Sequence, residues 1–262
     1  MPNLKLLIIH GVQLLHGPKH LPNKLRLLDW SKYPSKSLPS DFQPVELVEL
    51  HLLHSKIERL WKGAKVRLLF KYYWYNFVFN FQLIIRFVKS NSSTIYFGLE
   101  QYLNKLKFIN LKGSLNLIAT PNFTGVPNLE KLVFKGCINL REVHPSIMVL
   151  KRLTLLDLED CKSLRSLPSK FEMVSLETLI LSGCSKIERI PEFMGNMKHL
   201  SILHLDGTTI TKLPSSIERM TNLKELSFRG CKGPPSKLWN KLFPLNLLPR
   251  RSQNPVRSES VV

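Results

Sequence analysis

The chain has 262 residues, of which 44% are hydrophobic, and these values predict a folded protein of one or two domains rather than a disordered chain. Its 38 lysine and arginine residues against 19 acidic residues give a net charge of +19, which favours acidic partners, although the basic residues are scattered singly and lack the stripes of nucleic-acid binders. Four cysteines are too few for a disulfide scaffold and indicate a reducing, intracellular setting, and the short apolar run near the N-terminus lacks the cleavage site of a signal peptide.

One apolar pattern, L-x-x-L-x-L-x-x-C, repeats along the chain, with other apolar residues sometimes replacing a leucine. Successive starts are separated by 21, 22, 59, 23, 24, 23, 24 and 23 residues. Apart from the one long interval, this is the period of leucine-rich repeats. The starts are Leu4, Leu25, Leu47, Leu106, Leu129, Leu153, Leu176, Leu200 and Leu223.

The spacing within each repeat predicts the fold. Leucines two residues apart in a short strand point to the same face, and one such unit cannot cover its own apolar side. Stacked units can, so we predict an α/β leucine-rich-repeat solenoid: a curved right-handed coil with a parallel inner β-sheet. Leu-Pro and Ile-Pro pairs follow several turns and predict irregular or 3₁₀ segments on the convex side, while "SIMVLKRL" and "SIERMTNL" each predict a short helical turn there.

The eighth place after each start turns the chain out of the sheet. A small polar or thiol group there is expected to reach backbone amides left over at the strand end. Because all four cysteines occupy this place and no C-x-x-C pair exists, we interpret them as buried structural thiols rather than zinc ligands. The residues at this place are Tyr33, Ser55, Ser114, Cys137, Cys161, Cys184, Thr208 and Cys231.

The chain divides into four regions. Residues 1–63 and 102–231 hold repeats, 64–101 form an aromatic-rich insertion predicted to be a loop or disordered, and 232–262 form a proline-rich tail predicted to be disordered. We interpret the insertion as an unselected segment that loops out, because its two flanks would join into an ordinary turn without it. The alternatives are a folded insertion that grips a ligand and a membrane anchor at residues 68–88, whose length suits a transmembrane helix despite its polar residues.

No motif for catalysis or cofactor binding is present. Phosphate-binding loops and dinucleotide fingerprints are absent from the sequence. His51 and His54 are spaced as a metal-ligand pair, but no third ligand lies nearby, and Asp157 and Glu159 are interpreted as solvent-facing residues of one strand rather than paired catalytic acids. We therefore predict no enzyme activity, no cofactor and no metal site.

What varies from repeat to repeat is the surface of the predicted sheet. Each solvent-facing residue between the two leucines of L-x-L, and the residue two places further on, should line the concave face. These positions mix charge and shape while the buried frame stays constant, a pattern typical of protein recognition. The predicted protein-binding residues are Asp29, His51, Asn110, Lys112, Lys135, Asp157, Glu159, Ile180, His204, Asp206 and Arg229.

Three stretches carry a family resemblance: "LVELHLLHSKIERLWKG", "VPNLEKLVFKGCINL" and "SLETLILSGCSKIERIP". Together with their surroundings, residues 1–63 and 102–248, they closely resemble the leucine-rich-repeat region of plant intracellular TIR-NB-LRR disease-resistance receptors. Plant extracellular repeats typically use Asn at the turn followed by G-x-I-P, and both features are missing here.

The resemblance implies a cytoplasmic or nuclear protein that acts in plant defence. It implies repeats that recognise a pathogen effector or a guarded host protein and that hold a nucleotide-binding domain inactive until then. The chain has neither the TIR nor the nucleotide-binding domain of that family, so we expect it neither to cleave NAD nor to bind ADP by itself. The predicted partner is therefore a protein, with a membrane-anchored repeat protein and a basic nucleic-acid-binding protein as alternatives.

Overall fold

The computed structural model describes residues 3–60, 103–169, 173–193, 197–211 and 213–231. Across these ranges the chain forms one parallel sheet of nine short strands whose spatial order is their order in sequence. This order confirms the predicted solenoid, because each turn of the chain adds one strand beside the previous one. The strands are β1 (Leu6–Ile9), β2 (Leu27–Trp30), β3 (Glu49–His51), β4 (Phe108–Asn110), β5 (Lys131–Val133), β6 (Leu155–Asp157), β7 (Thr178–Ile180), β8 (Ile202–His204) and β9 (Glu225–Ser227).

The leucine frame of the repeats forms the core beneath this sheet. Every strand begins two residues after a predicted repeat start, and in β3 to β8 the middle residue is buried while both neighbours keep some exposure. Leu156, Leu158, Leu179 and Leu181 are fully buried. Since alternate side chains of a strand point to opposite faces, this burial confirms the predicted inward direction of the repeat leucines.

The core is continuous through the described turns and thins at both ends. Leu7 and Ile9 in β1, and Leu226 and Phe228 in and beside β9, are only partly buried, although the same positions in the middle turns are fully enclosed. A side chain inside a solenoid is covered by the turn on each side of it. The first and last described turns therefore each leave part of their apolar side uncovered.

Strands β3 and β4 are neighbours in the sheet although the long interval separates their repeats. Leu50 pairs with Ile109 in the same parallel register that joins the other neighbouring strands. The buried hydroxyl of Ser55 lies 2.8 Å from that of Ser114 across the same boundary. The sheet is thus continuous from β3 to β4. The predicted insertion 64–101, its proposed membrane anchor 68–88 and the tail 232–262 lie outside the described residues.

In the eight repeats from Leu25 onwards the eighth place is buried, except at Cys231, which is partly exposed, whereas Val12 at this place of the first repeat is exposed. All four thiols donate to a main-chain carbonyl oxygen of the preceding turn at 3.1–3.3 Å. A predicted amide contact also occurs, because the Ser114 hydroxyl accepts from the N–H of Ser55. The carbonyl partner is the part that the sequence pattern did not indicate.

Burial suppresses the reactivity of Cys137, Cys161 and Cys184. Burial raises the pKa of Cys137 and of Cys184 to about 12, and it raises the pKa of Cys161 as well. These three groups therefore remain protonated at neutral pH. Because only the thiolate is a strong nucleophile or metal ligand, the protonated thiols are unreactive. Their burial and hydrogen bonds agree with the predicted structural role.

Two 3₁₀ helices occur among the described residues, Pro145–Val149 between β5 and β6 and Ser215–Arg219 between β8 and β9, at the two segments predicted to be helical. The second is held by the preceding turn, because the Glu192 carboxylate accepts the N–H groups of Ser215 and Ser216, each at 2.9 Å. The hydroxyl and N–H of Ser216, followed by Ser215, lower the pKa of Glu192 to about 2. Neither helix, nor any other in the described ranges, is long and apolar enough to cross a bilayer.

Candidate protein-binding face

We call the surface of the nine-stranded sheet that faces away from the core the variable face. Its central row contains the residue between the two leucines of each L-x-L, and the strand register places these residues side by side. Six of the predicted binding residues lie in this row. In order across the sheet the row is Ile8, Asp29, His51, Asn110, Val133, Asp157, Ile180, His204 and Ser227.

The other five predicted residues, Lys112, Lys135, Glu159, Asp206 and Arg229, form a second row just beyond the strand ends. Main-chain hydrogen bonds align this row from Lys112 to Arg229, with Ser182 standing between Glu159 and Asp206. In each of these turns the residue after the row position donates its N–H to the carbonyl of the row position in the next turn, at 2.7–2.8 Å. The prediction that Asp157 and Glu159 belong to one strand is wrong, since β6 ends at Asp157.

The physical reason for this early strand end is a left-handed residue in each turn. Asp160 has φ of 58°, and the equivalent Gly183 has φ of 76°. Glycine is the default residue for this conformation, and Asp tolerates it. A Cβ built on Gly183 would come within 2.3 Å of Asp160 Oδ1, so the aspartate of one turn occupies space left by the glycine of the next.

A third row on the variable face was missed from the sequence. It contains the residue two places before each member of the central row, and strand alternation puts it on the same face. The sequence pattern does contain this row, because the second x of L-x-x-L lies two residues before the x of L-x-L and therefore points to the same face of the strand. The row is Leu6, Leu27, Glu49, Phe108, Lys131, Leu155, Thr178, Ile202 and Glu225.

Several polar side chains of the variable face are paired with one another. His51 Nε2 lies 2.9 Å from Glu49 Oε2, and the His51 ring meets the edge of Phe108 at a centroid distance of 4.7 Å. His204 Nε2 lies 2.8 Å from Glu225 Oε1. These contacts fix both histidines of the central row against the missed third row.

The second row is paired as well. The Lys135 ammonium group donates to the Glu159 carboxylate, and this hydrogen bond raises the pKa of Lys135. Asp206 Oδ1 accepts the hydroxyl of Ser227 at 2.6 Å and the N–H of Arg229 at 2.5 Å. These contacts hold the side chains of the second row in position.

Asp157 differs from the other carboxylates of the variable face. It is half-buried, and its Oδ1 accepts the N–H of Glu159 at 2.9 Å, but it forms no ion pair with any described residue. Burial raises the pKa of Asp157, and the bond from Glu159 only partly opposes this effect. Its register neighbours on the two adjacent strands, Val133 and Ile180, are both apolar.

The two histidines considered as a metal pair do not converge on a common site. His51 contacts Glu49 and Phe108, whereas His54 is the left-handed residue of its turn and its ring lies over Gly113. Within the described ranges, no group of three or more His, Cys, Asp or Glu residues is arranged to hold a metal ion.

The fold and the repeating frame define the described part of the chain as a leucine-rich-repeat solenoid. A family model described as Leucine Rich Repeat matches residues 46–65. Curated relatives confirm the resemblance to plant disease-resistance proteins. Disease resistance protein RML1B of Arabidopsis thaliana is 34% identical over 160 residues, which cover 58% of this chain and 12% of the relative.

Two further relatives come from other plants. Disease resistance protein RPV1 of Vitis rotundifolia is 37% identical over 141 residues, covering 54% of this chain and 8% of that protein. TMV resistance protein N of Nicotiana glutinosa is 35% identical over 128 residues, covering 49% of this chain and 8% of that protein. The alignments with these three relatives thus span 8–12% of the relatives' own length.

Among solved structures, a leucine-rich-repeat protein of Leptospira interrogans aligns with a TM-score of 0.42 at 20% sequence identity. The alignment covers 84% of this chain and 60% of that one.

Proposed function

We propose that this chain is a non-enzymatic protein-recognition module of a plant intracellular immune receptor, and that it binds its partner through the variable face. The observation that supports the proposal most is the central row, in which side chains of differing charge and shape stand in register above a buried frame of mostly leucine residues. The similarity of the repeats to plant disease-resistance proteins supports the role in defence.

The mechanism that we propose is a shift between two states of a receptor. A pathogen effector or a guarded host protein binds the variable face and weakens contacts between the repeats and a nucleotide-binding domain. A partner shifts such an equilibrium only by the difference in its affinity for the two states, so the effector must bind the released repeats more tightly. The nucleotide-binding domain belongs to the same receptor or to a partner, and the site of action is the cytoplasm or nucleus.

The pairing of charges on the variable face supports recognition by a folded or extended protein. Lys135, Asp206 and His204 are already held by neighbours, so little side-chain entropy is lost when a partner engages them. Charges fixed in this way contribute specificity and association rate more than raw affinity.

The proposal is tested by pull-down of the purified full chain against candidate effectors, candidate host proteins and a nucleotide-binding domain of a plant disease-resistance protein. A triple variant of the central row, His51→Ala with Asp157→Ala and His204→Ala, should lose at least tenfold in affinity for a captured partner. The control replaces three exposed arginines outside the three rows, Arg141→Ala, Arg165→Ala and Arg189→Ala, and should bind like the parent.

Two results would count against the proposal. One is the absence of salt-resistant binding to every protein of the panel. The other is equal loss of binding in the triple variant and in the arginine control, since the variable face would then have no special part in recognition. Circular dichroism of each variant verifies that the fold is intact.

A further inference from the structure

We propose that Asp157, with Val133, Leu155 and Ile180 around it, forms a docking site for one lysine or arginine side chain in an apolar segment of the partner protein. This inference rests on the proposed function and names the chemistry that the variable face recognises.

The first support is the arrangement of the four residues. Val133 and Ile180 are the register partners of Asp157 on β5 and β7, and Leu155 lies two residues earlier on β6, so all four side chains point to the same face. All four are half-buried. One carboxylate is thus surrounded on three sides by branched aliphatic groups.

The second support is that Asp157 forms no ion pair with any described residue, although the charges of Lys135 and Lys112 act on it from beyond ion-pair distance. The ammonium group of Lys135 is taken by Glu159, which leaves Asp157 with the single N–H bond from Glu159. By contrast, other acidic groups of the face have side-chain partners: Glu49 has His51, Glu225 has His204, and Asp206 has the Ser227 hydroxyl.

The chemistry of the site selects a cation with an aliphatic stem. A carboxylate that loses water gains most from a positive group that also forms hydrogen bonds with it. Lysine and arginine have long methylene stems that cover apolar surface while the charged end reaches its partner. Val133, Leu155 and Ile180 offer that surface, whereas a phosphate or nucleic acid would be repelled by the carboxylate.

The experiment begins with a random twelve-residue peptide library displayed on phage and selected against the full chain. Selected sequences should be enriched in lysine or arginine flanked by apolar residues. For the strongest binder, a synthetic peptide with arginine is compared with one in which citrulline, its neutral isostere, replaces that arginine. The replacement should weaken binding to the parent chain at least tenfold.

Variants of the chain locate the effect. In Asp157→Asn the side-chain oxygen can still accept the N–H of Glu159, so the fold is retained, but the arginine and citrulline peptides should now bind within about twofold of each other. The two chains and two peptides form a double-mutant cycle, which isolates the interaction between residue 157 and the arginine of the peptide. The matched control is Glu177→Gln, an exposed carboxylate outside the three rows, and it should discriminate between the peptides like the parent.

The inference is overturned if the library yields no binder, if selected peptides lack lysine and arginine, or if Asp157→Asn still prefers arginine over citrulline tenfold. Each of these results leaves the proposed function open to its own test, because the pull-down with the central-row triple variant measures recognition of whole proteins. If the triple variant loses binding to a captured protein while the peptide result is negative, the proposed function stands and only the lysine or arginine docking site is overturned.

Discussion

The hydroxyl oxygens of Ser55 and Ser114 lie 2.8 Å apart in the core, although 59 residues separate them in sequence. Ser114 Oγ also donates to the carbonyl of Leu52 at 3.0 Å. This small network joins the turn before the long interval to the turn after it. The coil therefore closes across the interruption with the same kinds of contact that join its other turns.

Deleting residues 65–101 should leave the fold intact. The deletion removes 37 of the 59 residues between Leu47 and Leu106 and leaves 22, an ordinary repeat. Closing the shorter connection costs less entropy, by about 1 kcal/mol on a logarithmic dependence on length. Chemical denaturation should show a cooperative transition at least as stable as that of the full chain. A loss of several kcal/mol would show that the removed residues stabilise the coil.

Replacing Ser114 by alanine should weaken the joint between these turns. The hydroxyl of Ser55 and the carbonyl of Leu52 would each lose a buried partner, which costs about 1–3 kcal/mol. Ser114→Cys is the matched control, because cysteine fills this place in neighbouring turns and donates to the equivalent carbonyl. Thermal unfolding should rank the parent and the cysteine variant together, well above the alanine variant. Equal stability of all three chains would contradict the role of the hydroxyl.

Neighbouring leucines of β6 should have opposite roles. Leu156→Ala opens a cavity in the core and should cost about 2–5 kcal/mol, measured by denaturant unfolding. Leu155→Ala removes a half-exposed side chain from the variable face and should cost under about 1 kcal/mol while weakening binding of the arginine peptide. If Leu155→Ala were the more destabilising of the two variants, Leu155 rather than Leu156 would lie in the core, and the structure would be contradicted.

The stabilising effect of Glu192 should depend on pH. Hydrogen bonds hold its pKa near 2 in the folded chain, below its ordinary value of 4.5, so folding favours the ionised form. The contribution is fully present above about pH 4.5 and is lost as the pH falls towards 2. Solvent screening keeps it to about 1 kcal/mol or less.

The measurement is the melting temperature of Glu192→Gln relative to the parent chain. The variant should melt lower at pH 7, and the gap should close between pH 4.5 and pH 2. Glu188→Gln, an exposed position in the same segment, serves as the control and should show no such gap. A gap of constant size over the whole range would rule out the charge as its cause.

The sequence was sufficient to predict most of the fold because the frame is periodic. A two-residue alternation determines which side chains share a face, so the central row and the starts of all nine described strands could be deduced from leucine positions alone. The third row follows from the same rule applied one step earlier, and it was missed because L-x-L was considered by itself.

The isolation of Asp157 could not have been predicted in this way. Lys135, Glu159 and Asp157 occupy neighbouring positions, and spacing does not determine which carboxylate the ammonium group selects. The same holds for Glu192, whose two hydrogen bonds depend on how one irregular segment meets the 3₁₀ helix of the next turn. Such contacts depend on loop geometry and rotamers, which do not repeat.

The alternation along β6 is tested most directly by thiol labelling. Single cysteines are placed at Leu155, Leu156, Asp157 and Leu158 in a chain in which Cys231 is replaced by alanine, and the three remaining native thiols are buried. Labelling of the folded chain should be rapid at 155 and 157 and at least a hundredfold slower at 156 and 158. Uniform labelling at all four positions, or protection at 155 and 157, would contradict the placement of Leu156 and Leu158 inside the coil and of Leu155 and Asp157 on the variable face.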